Sequence, residues 1–374
     1  GKSWQRLTNG ENGIPADYPV RVIREDPQQE GLLYAGTEFG IFISFDDGQN
    51  WQAFQQNLPV TPITDIKVHR GDLLVSTMGR SFWILDDLGS VDELAEPVNS
   101  NSVQLFKPRT AYRYRYRSTS RNSVPYYPGA AVVLDYYLPE TVEAEIEIVV
   151  KDAAGNHIRT ISSKAPQRRN NADAPTPMAN IRAQDNPKGD LDKLAGMHRF
   201  RWDMRHEGVW NKNASRILRG GPLVAPGMYT YVLKVNDQEY SQTAEIQLDP
   251  RSAAAGMTPE IIAEQVGLSL KVVALQSDAT KLLAKIDDKL KPLEEKYQKK
   301  ASSKTKRKID QLEAVKYMLA TRDGNYMERH VLSQISYLNR MLNRADQQPG
   351  KDAYTRYDEL KVELEKVNKA FDAL

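Results

Sequence analysis

Apolar positions in the first hundred residues come in short alternating bursts, broken by glycines and Asp-Gly pairs. Leu32-Leu33-Tyr34-Ala35, Gly40-Ile41-Phe42-Ile43-Ser44, Ile63 to Val68 and Asp72 to Ser76 each predict a strand. From about 101 to 250 the period of two continues. Ala130 to Tyr137 and Ala144 to Val150 predict strands, the second half exposed because apolar and acidic residues alternate. Asp152-Ala153-Ala154-Gly155-Asn156 predicts a turn and Ile158-Arg159-Thr160-Ile161 the returning strand; Gly196 to Asp203 and Pro226 to Val235 predict two more. Residues 164–193, rich in Asn, Pro, Ala and Gln, follow neither period and predict a long mobile insertion.

From about residue 257 the period lengthens to that of a helix. Thr258-Pro259-Glu260 combines a cap, a first-turn proline and an acid against the dipole. Val266, Leu270, Val273, Leu283, Ile286, Leu290 and Leu293 form one apolar stripe, with Leu268, Val272, Leu275 and Leu282 beside it. Further stripes run Ile309-Leu312-Val315-Leu319, Val331-Ile335-Leu338-Met341-Leu342 and, beyond Pro349-Gly350, Tyr357-Leu360-Leu364-Val367-Phe371. Four amphipathic helices with short links predict an antiparallel bundle over 257–374.

The first hundred residues also repeat. Ser44-Phe45-Asp46-Asp47-Gly48-Gln49-Asn50-Trp51 fits S-x-D-x-G-x-x-W, and Gly1-Lys2-Ser3-Trp4 is the tail of the same pattern. Trp4-Gln5-Arg6-Leu7 and Trp51-Gln52-Ala53-Phe54 continue alike, at a spacing typical of one four-stranded blade. A degenerate copy at Phe82-Trp83-Ile84-Leu85-Asp86-Asp87 has Leu88 where the turn glycine would stand. The pattern resembles the Asp-box, or bacterial neuraminidase repeat, of sialidases, xyloglucanases and sortilin-type β-propellers. The resemblance implies a structural role for Ser44, Asp46, Gly48, Trp51, Gly1 and Trp4: side chains bonding turn amides, a glycine at positive φ, and a tryptophan packing the hairpin on its blade.

In the second region the Asp-x-x-Gly hairpin, His198-Arg199-Phe200-Arg201-Trp202-Asp203 and Pro226-Gly227-Met228-Tyr229 resemble the Ig-like domain of flagellar hook-capping proteins and of the ends of many exported bacterial enzymes. The order of the three regions, with Gln334 to Leu338 and Asp346-Gln347-Gln348-Pro349-Gly350 near the end, resembles the C-terminal third of large exported bacterial proteins labelled "glycosyl hydrolase, BNR repeat" or "sortilin N-terminal domain-containing". The implied fold class is mainly β with an α-helical C-terminal region. It comprises partial propeller blades over 1–100, an Ig-like sandwich over 101–250 and the helical bundle. The half-motif at the start leads us to expect a chain cut inside its propeller. Its expected partners are the remaining blades or a copy of itself, with a carbohydrate or protein ligand also open.

Composition narrows the chemistry further. A net charge of +2 in 374 residues gives no bulk reason to expect nucleic acid or an anionic membrane as a partner, and no apolar run is long enough to span a bilayer. The absence of cysteine excludes disulfides, thiolate metal sites and cysteine nucleophiles. His69, His157, His198, His206 and His330 show no metal spacing, no nucleophile elbow or phosphate-cradling loop is present, and no cofactor is expected. Asp46-Asp47 and Asp86-Asp87 read as turn-capping groups, because neighbours on a strand point to opposite faces; Asp65 and Asp72 belong to no motif. In Arg113-Tyr114-Arg115-Tyr116-Arg117 a strand sends the arginines to one face, which predicts a half-buried edge or domain contact rather than nucleic-acid binding. Lys304-Thr305-Lys306-Arg307-Lys308 reads as a solvated face, and Trp83, Trp202 and Trp210 as core rather than a sugar platform. Two readings stand: a non-catalytic scaffold that closes an exported propeller and presents an interaction surface, or part of a glycoside hydrolase whose carboxylates lie in blades outside this chain.

Overall fold

The computed structural model describes residues 5–94, 101–115, 129–164, 191–212, 220–320 and 330–374. Gly1, Trp4, Tyr116, Arg117 and most of the expected insertion, residues 165–190, lie outside these. The fold is mixed: four sheets, followed by a helical C-terminal region. "Mainly β" understates the helices, because the stripe beginning at Val266 runs unbroken through a single 41-residue helix.

Strands β1 (Val20–Glu25), β2 (Leu33–Thr37), β3 (Gly40–Ser44) and β4 (Gln52–Ala53) form an antiparallel meander in chain order. β5 (Ile63–His69), β6 (Asp72–Thr77) and β7 (Phe82–Leu85) form a second. The two share a core in which Val22, Tyr34, Ile41 and Ile43 meet Ile63, Ile66, Leu73 and Val75. Close approach depends on Gly36, where a Cβ would stand 2.6 Å from the Ile63 Cγ2 methyl. After β7 the chain turns into the short helix α1 (Gly89–Leu94), which adds Val91 to this core.

Beyond it lie two sheets around one core. The first has the order β13 (Gly196–Trp202), β10 (Val132–Leu138), β8 (Gln104–Leu105). The second has the order β12 (His157–Ser162), β11 (Glu147–Asp152), β14 (Gly227–Val235), β15 (Gln238–Leu248), β9 (Ala111–Arg113), with β9 parallel to β15. Leu134, Tyr136, Phe200 and Trp202 of one sheet meet Ile148, Val150, Tyr231 and Leu233 of the other. Trp202 stands edge-on to Tyr229 and Tyr231, with centroids 6.0 Å apart in each pair. Leu191 is buried in the same core, the Tyr136 hydroxyl donates to the Asp192 carbonyl at 2.8 Å, and the Val142 N–H donates to the Lys193 carbonyl at 2.9 Å. Residues 191–193 therefore belong to the packed region rather than to an insertion.

The last part holds α2 (Pro250–Ala254), α3 (Pro259–Lys299), α4 (Ser303–Leu319), α5 (Val331–Leu342) and α6 (Lys351–Asp372). Thr258 caps α3, its hydroxyl accepting the Ile261 N–H at 3.3 Å, and Pro259 takes the first helical position. The sequence stripes of α3 to α6 converge on one core, in which Val272, Ile286, Leu312, Ile335, Leu360 and Leu364 are buried.

Candidate interaction surface

The turn between β3 and β4 is built by its own side chains. Ser44 Oγ donates to Asp46 Oδ1 at 2.8 Å and accepts the Gly48 N–H at 2.9 Å. Asp46 then accepts the Asn50 N–H at 2.8 Å and its side-chain amide at 2.7 Å. Asp47 and Gly48 both have positive φ, 57° and 81°. Burial opposes the Asp46 charge, but the bonds from Asn50, Ser44 and Gln49 outweigh it and hold the carboxyl below its ordinary range. Trp51 is buried against Ile14, Leu33, Ala35 and Phe42, and its indole N–H donates to the Leu7 carbonyl at 2.9 Å. The Asp152 turn repeats the device, with Asn156 donating its N–H and side-chain amide to Asp152 at 2.8 and 2.9 Å.

Register carries the comparison of the first two sheets further. In the first, Tyr34 pairs Ile43 and Gly36 pairs Ile41; in the second, Leu74 pairs Ile84 and Ser76 pairs Phe82. Ile41 and Ile43 lie in the core between the sheets. On β7 it is Trp83 and Leu85 that turn back into that core, so Phe82 and Ile84 hold the places of Ile41 and Ile43 and face outward. β3 and β7 thus match at 41 residues, whereas β2 and β6 match at 40, as do the turns with positive φ at Asp47 (57°) and Asp87 (62°); the second copy is one residue shorter between its third strand and its turn. Phe82 and Ile84 are 83% and 61% exposed. With Asp65, Lys67, Leu74 and Ser76 they line an open groove of about 310 Å³.

Asp86 and Asp87 sit at a junction that sequence reasoning missed. Arg199 donates to their carbonyls at 2.6 and 2.8 Å, and to Asp135 Oδ1 and Oδ2 at 2.8 and 2.7 Å. Ser90 Oγ donates to Asp135 Oδ2 at 2.6 Å. Asp87 also caps locally, accepting the Gly89 N–H at 3.2 Å, while its own N–H donates to Asp72 Oδ1 at 2.9 Å. Asp72 is held by Arg109 at 2.8 Å and Asp65 by Arg24 at 2.7 Å. These carboxylates are thus engaged in turns and ion pairs rather than opposed across a cleft, as an acid and base would be.

Asp92 in α1 is strained electrostatically. Burial first, then the charges of Asp26, Asp87 and Glu93, push its pKa up to about 6. Its folded pKa lies above the unfolded one, so its contribution to stability declines as pH rises from about 4 to about 6 and stays low above that. The side chain is partly exposed, and after discounting for solvent the penalty is about 1 kcal/mol. Asp92→Asn is therefore expected to gain about 1 kcal/mol on the wild type between about pH 4 and pH 6.5 in urea titrations. A pH-independent difference would show that Asp92 ionises freely.

The arginine run and the Asp346 segment, separate in the sequence, meet. Arg113, 1% exposed, donates to Asp346 Oδ2 at 2.8 Å and to the Val224 carbonyl at 2.7 Å. Arg115 donates to Asp346 Oδ1 at 2.7 Å. Trp202 is core, Trp83 is half-buried against the core between the first two sheets, and the Trp210 N–H donates to Ser277 Oγ on α3 at 3.0 Å, so the three form no common platform. His206 is buried, which pushes its pKa down to about 4. Among the described residues no group of three or more His, Asp or Glu is arranged to hold a metal ion. No protein-family model, curated protein or solved structure matches this chain.

Proposed function

We propose that this chain is the non-catalytic scaffold region of an exported Asp-box β-propeller protein, with the outer face of β5–β7 receiving a further sheet. The observation that carries this reading is the equivalence of Phe82 and Ile84 to Ile41 and Ile43. The first sheet uses that face to hold the second, and among the described residues the second presents the same face exposed. Two successive meanders packed face to face, the first closed by the Ser44–Trp51 turn, support the assignment to propeller blades. The two sheets around Trp202 then read as the Ig-like sandwich and α3 to α6 as an antiparallel bundle, an anchorage for the open end of the propeller.

Covering Phe82 and Ile84 is worth about 1.5–3 kcal/mol each, enough to drive association when no further sheet is supplied. The isolated chain is expected to self-associate as its concentration rises through the micromolar range, measured by light scattering after size exclusion. F82E/I84K is expected to be monodisperse and to melt with the wild type, because neither side chain is buried. A wild-type chain that stays monomeric over the same range would overturn the proposal.

A further inference from the structure

The tip of the α3–α4 hairpin concentrates charge that the rest of the molecule lacks. From Lys289 to Lys308 there are eight lysines and one arginine against two glutamates, in a chain whose net charge is only +2. Among the described residues, two of these cations have a partner. Lys306 pairs with Asp310 at 2.9 Å, and Lys289 lies over the Phe371 ring at 4.2 Å. The other seven are exposed.

This arrangement is unfavourable for the fold. α4 begins at Ser303 behind Ser302, whose side chain makes no capping bond, and its first turn holds no acid. Lys304, Lys306, Arg307 and Lys308 instead crowd the positive end of the helix dipole, where cations destabilise. At the other side of the tip, Lys296 and Lys299 end α3 and Lys300 follows. Among the described residues, the Lys306–Asp310 pair and the Lys289–Phe371 contact relieve part of this charge.

The geometry points to the tip as a contact for the surface of an anionic lipid bilayer. Three features favour a bilayer over nucleic acid. The cations are almost all lysines, point charges suited to a diffuse field of headgroups rather than forks for bidentate reading of phosphates or bases. Leu293 and Tyr297, the large apolar side chains of the tip, pack on the bundle core, leaving no aromatic platform for bases. And α3 is 41 residues long, about 60 Å at 1.5 Å per residue, so the tip stands away from the opposite end of the helix and meets an extended surface end-on. No described helix is long and apolar enough to cross a membrane, so the contact is peripheral and screened by salt.

The test is sedimentation of the full chain with vesicles of phosphatidylcholine alone or with about one third phosphatidylglycerol. Binding to the anionic vesicles is expected at low salt, at least tenfold stronger than to neutral ones, and lost in about 0.5 M salt. K296E/K299E/K300E/K304E is expected to lower the partition at least tenfold. In that variant Lys304→Glu relieves repulsion at the start of α4, whereas the acids at 296 and 299 oppose the dipole at the end of α3, so circular dichroism and the melting temperature are read alongside to show that the variant is folded under the binding conditions. Equal partition of variant and wild type, no preference for anionic vesicles, or tighter binding to a DNA duplex of equal phosphate concentration would each overturn the inference.

Discussion

Replacing Asp346 with alanine is expected to cost about 3–5 kcal/mol of folding stability, the loss usual when one partner of a buried ion pair is removed. Asp346 holds two arginines at once, Arg113 at 2.8 Å and Arg115 at 2.7 Å. Burial alone would raise its pKa, but the two cations outweigh that and hold the carboxyl below its ordinary range. At 1% exposure, water does not reach Arg113 to replace the lost carboxylate. Of its described hydrogen-bond partners, the Val224 carbonyl would remain to it. The loss should spread, because the loop carrying Asp346 is also held by buried Gln265 of α3, whose amide donates to the Leu342 and Ala345 carbonyls at 2.6 and 2.7 Å. Urea titration of Asp346→Ala, Asp346→Asn and the paired replacement R113M/D346L separates the terms. The asparagine variant keeps hydrogen bonding without charge and should fall between. The paired replacement leaves no buried cation and should recover most of the loss. A cost below about 1 kcal/mol for Asp346→Ala would mean that solvent enters the clamp.

That clamp also marks where sequence reasoning stops. The Ser44–Trp51 turn was legible because its partners lie within a few residues, so residue types and spacing specify the hydrogen bonds. The helices were legible because a 3.6-residue stripe needs no knowledge of its neighbours. The arginine face of 113–115 was legible as a contact, but its partner lies 233 residues away and no local signal selects it. β15 was missed although Ala244 and Ile246 alternate with exposed neighbours and Asn236 and Asp237, both at positive φ, make a two-residue hairpin turn. Its inward positions before Ala244 are Tyr240 and Gln242, too polar to stand out from a loop. The offset of β7 was not legible, because the repeat is recognised by its aspartates and the strand before them is shifted by one residue. The candidate surface rests on that one-residue difference, which only the pairing register reveals.

Asp135→Ala is expected to be nearly as costly as the change at Asp346, and to loosen a different joint. Asp135 and Arg199 are directly opposed across β10 and β13, on the face away from the core that holds Leu134 and Phe200. Left alone, a carboxylate 6% exposed on that face would be destabilising. The structure covers it with the segment that follows β7, so that Ser90 donates to Asp135 while Arg199 straps the Asp86 and Asp87 carbonyls. The pair thus makes the start of α1 part of the neighbouring sheet's surface. Removing the carboxylate takes three hydrogen bonds away and leaves Arg199 beside Asp87, whose own charge is opposed chiefly by burial. We expect a loss of about 3 kcal/mol and faster amide hydrogen exchange from Leu88 to Asp92. Exchange in α5 and α6, which pack in the separate helical core, should be unchanged. The double replacement D135L/R199M should restore slow exchange if burial alone keeps the joint closed. Slow exchange from Leu88 to Asp92 in Asp135→Ala itself would show that β7 and the core between the first two sheets hold α1 without help. The β5–β7 sheet and the two sheets around Trp202 would then be independent units.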